Sequence, residues 1–315
     1  MVTTNLPSCR MYIIVAWICN QGQAPMYSAP NLHTPIHRPY DDYADRPAEM
    51  LLQKGSGTVN EDVLLRDGNL FGVFDGATSL ANDNLPPGTT GGLLAARIAA
   101  HAFRTGGSDL YRSADLANRQ INVATRELGI TDNERHLLWS TSAAVVRIEE
   151  NHADYCQIGD SLILLVMDNG RYRLLTHETD HDLETLMLWK NLPCSSGLGI
   201  GTELAEQIKK VRLQMNRSYG TLNGEAVALD FLNCGRVALD GVAAILLFTD
   251  GLFLPKENPE DASDWSRFVA CYQQGGLQEI CDHVRALQQD DPFCRVYPRF
   301  KLHDDIAAIA INLHD

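Results

Sequence analysis

The sequence predicts an α+β fold in which antiparallel β-sheets are covered by pairs of helices. Short apolar runs occur in pairs around turn residues, which is typical of β-hairpins. Segments with an apolar residue every three or four positions, typical of amphipathic helices, are grouped between these pairs. Hairpins in series argue against a doubly wound parallel sheet, in which single strands and helices alternate. We therefore expect a layered sandwich of sheets and helices.

Each predicted hairpin consists of two short apolar runs on either side of a polar turn. The three strand pairs are Val63–Arg66 with Leu70–Phe74, Ala143–Ile148 with Ala153–Ile158, and Leu162–Met167 with Tyr172–Leu175. The turns between them carry Asp, Asn, Glu and Gly residues, which favour a chain reversal. Two further apolar runs, Val242–Phe248 and Ile306–Ile311, have the length of buried strands.

Four segments have the apolar spacing of helices. They are Gly91–Arg104, Leu110–Leu128, a less regular stretch near Glu203–Met215, and Leu277–Leu287 after a Gly-Gly pair. The clearest apolar stripe runs from Leu110 to Leu128, with Ser108 as the expected N-cap and Gly129 as the expected stop.

Composition restricts the class of protein and its partners. The chain has 315 residues, 45% of them hydrophobic and 21% charged, which suits a soluble globular protein with a sizeable core. A net charge of −14 disfavours binding to nucleic acid or to an anionic membrane. No apolar run is long enough to span a membrane. The eight cysteines include no Cys-x-x-Cys pair, so we expect reduced thiols and a cytoplasmic location.

The chain is expected to divide into an arm and one folded domain. Residues 1–48, rich in Pro, His, Asn and Tyr towards their end, are predicted to form a loose arm, and residues 49–315 the domain. Met11–Cys19 is apolar and follows Arg10, a weak signal-peptide pattern whose alternative is a disordered N-terminal segment.

Acidic residues recur at the ends of the predicted strands. These acids are Glu61, Asp62, Asp75, Asp160, Asp250 and Asp304. Strand ends are rigid, so acids placed there can converge, and converging carboxylates repel one another unless cations neutralise them. Mg²⁺ and Mn²⁺ prefer such oxygen ligands. A single Asp-Gly pair, such as Asp75-Gly76, is typical of an ordinary turn, so only the ordered combination indicates a metal site.

The motifs that carry these acids resemble the type 2C family of metal-dependent serine/threonine protein phosphatases. The matching stretches are VNEDVLL, LFGVFDGATSL, WSTSAAVVRI, DYCQIGDSLILLV, AAILLFTDGLF and HDDIAAIAI, between about Lys54 and Leu313. The resemblance implies a four-layer αββα sandwich, with two central antiparallel sheets flanked by helix pairs. It also implies a signalling phosphatase that removes phosphate from phosphoserine and phosphothreonine in proteins, with the targets of protein kinases as its substrates.

The resemblance assigns the principal metal ligands. Asp75 corresponds to the aspartate that bridges two divalent cations, and Gly76 to the glycine whose carbonyl oxygen binds beside it. Asp250 and Asp304 correspond to the other carboxylates on the first ion. These assignments imply two Mn²⁺ or Mg²⁺ ions, with a hydroxide bridging them, and make Asp75, Asp250 and Asp304 the catalytic residues.

The remaining assignments concern weaker positions. Glu61 and Asp62 correspond to the acidic pair that contacts the second ion, largely through water. Asp160 corresponds to the acid that helps to hold a weak third ion in some members. Thr141 lies in the Ser-Thr strand stretch, where a structural role is expected.

The sequence also departs from the family pattern. Gly57 stands where members often have an arginine that grips the substrate phosphate, and Lys54 is a candidate substitute. Ala77 replaces a histidine proposed as general acid in many members. Leu254 replaces an aspartate associated with the third ion.

Other interpretations remain open at this point. The chain could be a non-catalytic binding module with the same fold, or a phosphatase of small phosphate esters. His177 and His181 have the i, i+4 spacing of a zinc pair on a helix. A loop over the active site fits that position better, and the segment Thr176–Leu239 is expected to contain the variable flap that selects substrates.

Overall fold

The computed structural model describes residues 47–78, 80, 85–193 and 199–314. In this part of the chain, ten strands form two five-stranded sheets, and every pair of neighbouring strands is antiparallel. The predicted α+β fold with two antiparallel sheets is therefore confirmed.

The first sheet has the strand order β1-β10-β9-β6-β7. Its strands are β1 (Ala48–Gln53), β6 (Leu162–Met167), β7 (Tyr172–Leu174), β9 (Val242–Phe248) and β10 (Ile306–Asn312). The second sheet has the order β2-β3-β4-β5-β8. Its strands are β2 (Asp62–Asp67), β3 (Leu70–Gly76), β4 (Thr141–Ile148), β5 (His152–Ile158) and β8 (Asn233–Ala238). All three predicted hairpins are present as β2–β3, β4–β5 and β6–β7.

The described part of the chain contains six α-helices. They are α1 (Gly91–Thr105), α2 (Leu110–Glu127), α3 (Leu183–Asn191), α4 (Ile200–Glu203), α5 (Ala205–Arg212) and α6 (Trp265–Gln289). Short 3₁₀ turns lie at Asp132–Leu137, Ala226–Phe231 and Asp250–Leu252. The pair α1 and α2 packs on the second sheet, whereas α6 packs on the first.

Alternation along the central strands explains the layers. In β3, Leu70 and Phe74 face α1 and α2, whereas Phe71 and Val73 belong to the core between the sheets. In β9, Leu246 and Phe248 face α6, whereas Ile245 and Leu247 belong to the core between the sheets. Successive side chains of a strand point to opposite faces. Strands buried on both faces therefore appear in the sequence as continuous apolar runs.

Several boundaries differ from the predictions. Asp109, rather than Ser108, caps α2 by accepting a hydrogen bond from the backbone of Arg112. Helix α6 begins at Trp265, well before the predicted start, and its helical geometry is interrupted at Gly275 and Gly276. The edge strands β1 and β8 were not predicted, because their exposed and polar residues give no continuous apolar run.

Some predictions fall on residues that the structure does not describe. The predicted arm, apart from its last two residues, and the weak signal-peptide pattern lie outside the described residues. Among the helices that the structure does describe, none is long and apolar enough to cross a membrane.

Candidate active site

The topology brings the predicted acids to one end of the two sheets. Asp62, the first residue of β2, pairs directly with Asp75 near the end of β3. Asp250 follows β9, and Asp304 precedes β10, which is the neighbour of β9. Asp160 lies in the turn between β5 and β6. The acids come from distant parts of the sequence, yet Asp75, Asp160, Asp250 and Asp304 line one cavity.

The surroundings of three of these carboxylates oppose their ionisation. Burial raises the pKa of Asp62, Asp75 and Asp250 well above the ordinary value of an aspartate. Repulsion from the surrounding carboxylates raises each of these pKa values further; Asp304 acts on all three.

The donor set fits a hard divalent cation. The converging groups are carboxylates, whose oxygens are the ligands that Mg²⁺ and Mn²⁺ prefer, and a cation would relieve their mutual repulsion. Within the described chain, no group of three His, Cys, Asp or Glu side chains is already arranged to hold a metal ion. The acids are therefore suited to a divalent cation by their charge and by their oxygen atoms.

Two hydrogen-bonded residues orient the centre of the cluster. The Thr249 hydroxyl donates to Oδ2 of Asp62 at 2.7 Å and accepts from the backbone of Ala307 at 2.9 Å. The carboxylate of Asp305 accepts from the backbone nitrogens of Gly55 at 2.7 Å and Glu61 at 2.9 Å. Thr249 follows β9, and Asp305 immediately precedes β10. Their hydrogen bonds connect these two strands to the segment at the start of β2 and so restrict the positions of the acids.

Glu61 has surroundings unlike those of Asp62. Its carboxylate accepts hydrogen bonds from the hydroxyls of Thr78 at 2.5 Å and Thr90 at 2.6 Å. The Thr90 hydroxyl also accepts from the backbone of Leu93 and so caps helix α1. Glu61 thereby ties the segment after Asp75 to the start of α1, and its assignment as a metal ligand stays a prediction.

Gly76 allows β3 to approach helix α1 closely. A Cβ atom at Gly76 would lie 2.3 Å from the carbonyl carbon and oxygen of Gly92. A Cβ at Gly92 would in turn lie 2.7 Å from the Gly76 carbonyl oxygen. Two glycines are therefore required where the strand that carries Asp75 meets the helix.

Two cations at the cavity were not predicted from the sequence. Nζ of Lys301 lies 2.8 Å from Oδ1 of Asp304, and Arg212 lines the same cavity from the end of α5. Lys54, the predicted substitute for the missing arginine, is exposed and is not among the described residues that line the cavity. No motif marks Lys301 or Arg212, because neither has a characteristic spacing to the acids.

The cavity has a volume of about 310 Å³ and is lined both by the acids and by residues from the flap segment. Besides the acids, it is lined by residues of the predicted flap segment, including His181, Asp182, Arg212 and Tyr219. These residues belong to the segment Thr176–Leu239, so part of the expected flap does lie beside the acids. Thr141, by contrast, is fully buried in β4.

The histidines do not form the zinc pair that their spacing allowed. Residues 177–181 are not helical, so the i, i+4 spacing does not bring His177 and His181 together on a helix face. The His181 ring stacks on Tyr219 with 4.1 Å between the ring centroids. Its Nε2 lies 3.4 Å from Asp182 and 3.9 Å from Asp160.

Solved structures share this architecture. The Mycobacterium tuberculosis serine/threonine phosphatase PstP/Ppp is 18% identical, with a TM-score of 0.52 over 85% of this chain and 99% of its own. The catalytic domain of PstP in complex with two manganese ions is 16% identical, with a TM-score of 0.52 over 85% and 98% of the respective chains. Stp1 from Staphylococcus aureus is 13% identical, with a TM-score of 0.53 over 91% and 100%. At these identities the likeness establishes the fold.

A match between the sequence and a family profile establishes the family of this chain. No curated protein sequence matches the chain. The sequence profile described as protein phosphatase 2C matches residues 53–286, which is more than half of the chain and includes Asp62, Asp75, Asp160 and Asp250. This chain belongs to the protein phosphatase 2C family of serine/threonine phosphatases.

Proposed function

We propose that the protein hydrolyses phosphoserine and phosphothreonine in phosphorylated proteins, using a hydroxide held between two divalent cations that also neutralise charge on the phosphoryl oxygens. The observation that carries this proposal is the convergence of Asp75, Asp250 and Asp304 on a single cavity. The complex of PstP with two manganese ions supports Mn²⁺ as one suitable cation.

Each acid has a part in this proposal. In the metal-loaded protein, Asp75, Asp250 and Asp304 would hold the ions, and the Gly76 carbonyl oxygen would be a further ligand. Asp62 is oriented by Thr249 and contributes negative charge beside Asp75. The resemblance suggests Glu61 as a further acid near the second ion and Asp160 as a weak ligand of a third.

The chain's own residues also restrict the reaction. Ala77 has no side chain able to donate a proton to the leaving oxygen, so that proton must come from another source. The cavity, at about 310 Å³, is large enough for a phosphorylated side chain. His181 and Tyr219 of the flap segment line the same cavity, in a position to contact the substrate residues on either side of the phosphorylated one.

The test is turnover by the purified protein with Mn²⁺ or Mg²⁺. We expect release of phosphate from phosphoserine and phosphothreonine peptides and from p-nitrophenyl phosphate. Asp75→Asn should abolish turnover without loss of the fold, because the amide is isosteric with the carboxylate. Inactivity of the metal-loaded protein on every phosphate ester would contradict the proposal.

Two further measurements separate the alternatives left open by the sequence. Calorimetric titration with Mn²⁺ distinguishes an enzyme, which should bind two ions, from a binding module that has lost them. Comparing phosphopeptides with small phosphorylated metabolites shows which class is the substrate. A higher kcat/KM on peptides supports a phosphoprotein phosphatase, whereas a higher value on metabolites contradicts it.

A further inference from the structure

We infer that Arg212 binds the phosphoryl group of the substrate in the cavity lined by the acid cluster. This inference rests on the proposed function and names the residue that recognises its substrate. The described lining of the cavity contains five aspartates and only two residues with a permanent positive charge, Arg212 and Lys301. A dianionic phosphate ester in this acidic cavity would be attracted by a permanent positive charge of the protein as well as by the divalent cations of the proposed function.

Arg212 is placed over the strand that carries Asp75. Its Nη2 donates to the Thr78 carbonyl oxygen at 3.2 Å, and its Nη1 donates to the Ser140 hydroxyl at 3.4 Å. Thr78 follows the Asp75-Gly76 turn, and Ser140 precedes β4, in which Ser142 pairs with Asp75. The guanidinium therefore lies beside the two chain segments that border the catalytic acid.

The charge of Arg212 is available for a ligand. Both of its hydrogen-bond acceptors are neutral oxygens, and in the described part of the chain it forms no ion pair within 4.0 Å. Lys301 differs, because its ammonium is already paired with Asp304 at 2.8 Å. A guanidinium also carries five donors in a planar fork that can bind two phosphoryl oxygens at once.

This placement offers a substitute for the arginine that Gly57 lacks. The expected substitute Lys54 is exposed and does not line the cavity, whereas Arg212 reaches the cavity from the flap segment. Phosphate recognition would then come from the flap segment, rather than from the start of the domain.

Steady-state kinetics test the inference in the Mn²⁺-loaded protein. For Arg212→Ala we expect KM to rise roughly 10- to 100-fold on both a phosphopeptide and p-nitrophenyl phosphate, as for loss of a charge-assisted hydrogen bond. The inhibition constant of orthophosphate should rise by the same factor. Arg212→Lys should give intermediate values, because it keeps the charge without the fork. Lys210→Ala, on the same helix and paired with exposed Glu184, is the matched control and should leave all values unchanged.

A second readout does not depend on turnover or on the folding of a variant. Phenylglyoxal modifies accessible arginines, and mass spectrometry of the wild-type protein locates the adducts. We expect orthophosphate with Mn²⁺ to protect Arg212 selectively. Equal modification with and without orthophosphate would overturn the inference. So would an unchanged orthophosphate inhibition constant in a folded Arg212→Ala protein, or a KM effect restricted to the peptide.

The two proposals fail in different ways. If the wild-type protein turns over no phosphate ester, the proposed function is wrong, and protection by orthophosphate still decides whether Arg212 binds a phosphoryl group. If the wild-type protein is active and Arg212 is not protected, the inference alone is wrong.

Discussion

The Lys301 ammonium lies 2.8 Å from Oδ1 of Asp304, so the acid cluster contains its own counter-cation. Burial alone would lower the pKa of Lys301, but the ion pair with Asp304 and the nearby charges of Asp75 and Glu61 raise it above the ordinary lysine value. Lys301 therefore stays charged at neutral pH and offsets part of the repulsion among the acids.

Replacing Lys301 should expose this role. In Lys301→Gln without metal, we expect Tm to fall by about 2–4 °C, corresponding to about 1 kcal/mol for a partly exposed ion pair. Addition of Mn²⁺ should raise Tm more in the variant than in the wild type, because the ion relieves more repulsion. Differential scanning calorimetry in EDTA and in Mn²⁺ measures both effects. Lys256→Gln, which removes a looser ion pair with Asp180 at 3.8 Å, is the control. Equal changes in Tm for the two variants, in EDTA and in Mn²⁺, would contradict the role of Lys301 as a counter-cation.

The raised pKa values predict how stability depends on pH without metal. A carboxyl whose pKa is higher in the folded than in the unfolded protein binds its proton more tightly when folded. Its contribution to stability is therefore present at low pH and is lost as pH rises from the unfolded value near 3.8 through the raised folded value. Asp250→Asn removes one such group.

The measurement is Tm against pH in EDTA. We expect the Tm of Asp250→Asn to exceed that of the wild type by about 3 °C or more at pH 7.5, and the difference to shrink as pH falls towards 4. Asp230 is exposed, so the Tm of Asp230→Asn should change with pH as the Tm of the wild type does. A difference between Asp250→Asn and wild type that does not change with pH would show that repulsion is not its cause.

Thr90 should be needed both for helix α1 and for Glu61. Thr90→Val removes the cap of the helix and one of the two hydroxyl donors to the Glu61 carboxylate. We expect a loss of about 2 kcal/mol in the free energy of unfolding. Thr90→Ser keeps the hydroxyl and should retain most of the stability. Urea denaturation of both variants is the measurement. A loss in Thr90→Ser as large as that in Thr90→Val would contradict the role of the hydroxyl.

Gly76 should tolerate no side chain. In Gly76→Ala, the added Cβ would lie 2.3 Å from backbone atoms of Gly92, so strand and helix must separate. We expect a loss of about 3 kcal/mol or more in the free energy of unfolding, with reduced Mn²⁺ affinity by calorimetry. Gly57→Ala, whose Cβ meets nothing closer than 3.4 Å, should be nearly neutral. Near-native stability of Gly76→Ala would show that the contact is adaptable.

Much of the fold followed from local pattern. The hairpins β2–β3, β4–β5 and β6–β7 were predicted because apolar runs and turn residues alternate within a few positions. The edge strands β1 and β8 were missed because only one side of an edge strand pairs, and its sequence can be polar. The first half of α6 was missed because Gly275-Gly276 resembles the start of a helix rather than an interruption within one.

Neighbouring residues encode strand ends and turns, so local sequence is sufficient to show which acids end the strands. What surrounds those acids depends on tertiary packing. It turned Glu61 towards Thr78 and Thr90, paired Lys301 with Asp304, and brought Arg212 to the same cavity. These contacts join residues whose approach depends on how sheets, helices and flap pack, and no local spacing records such packing.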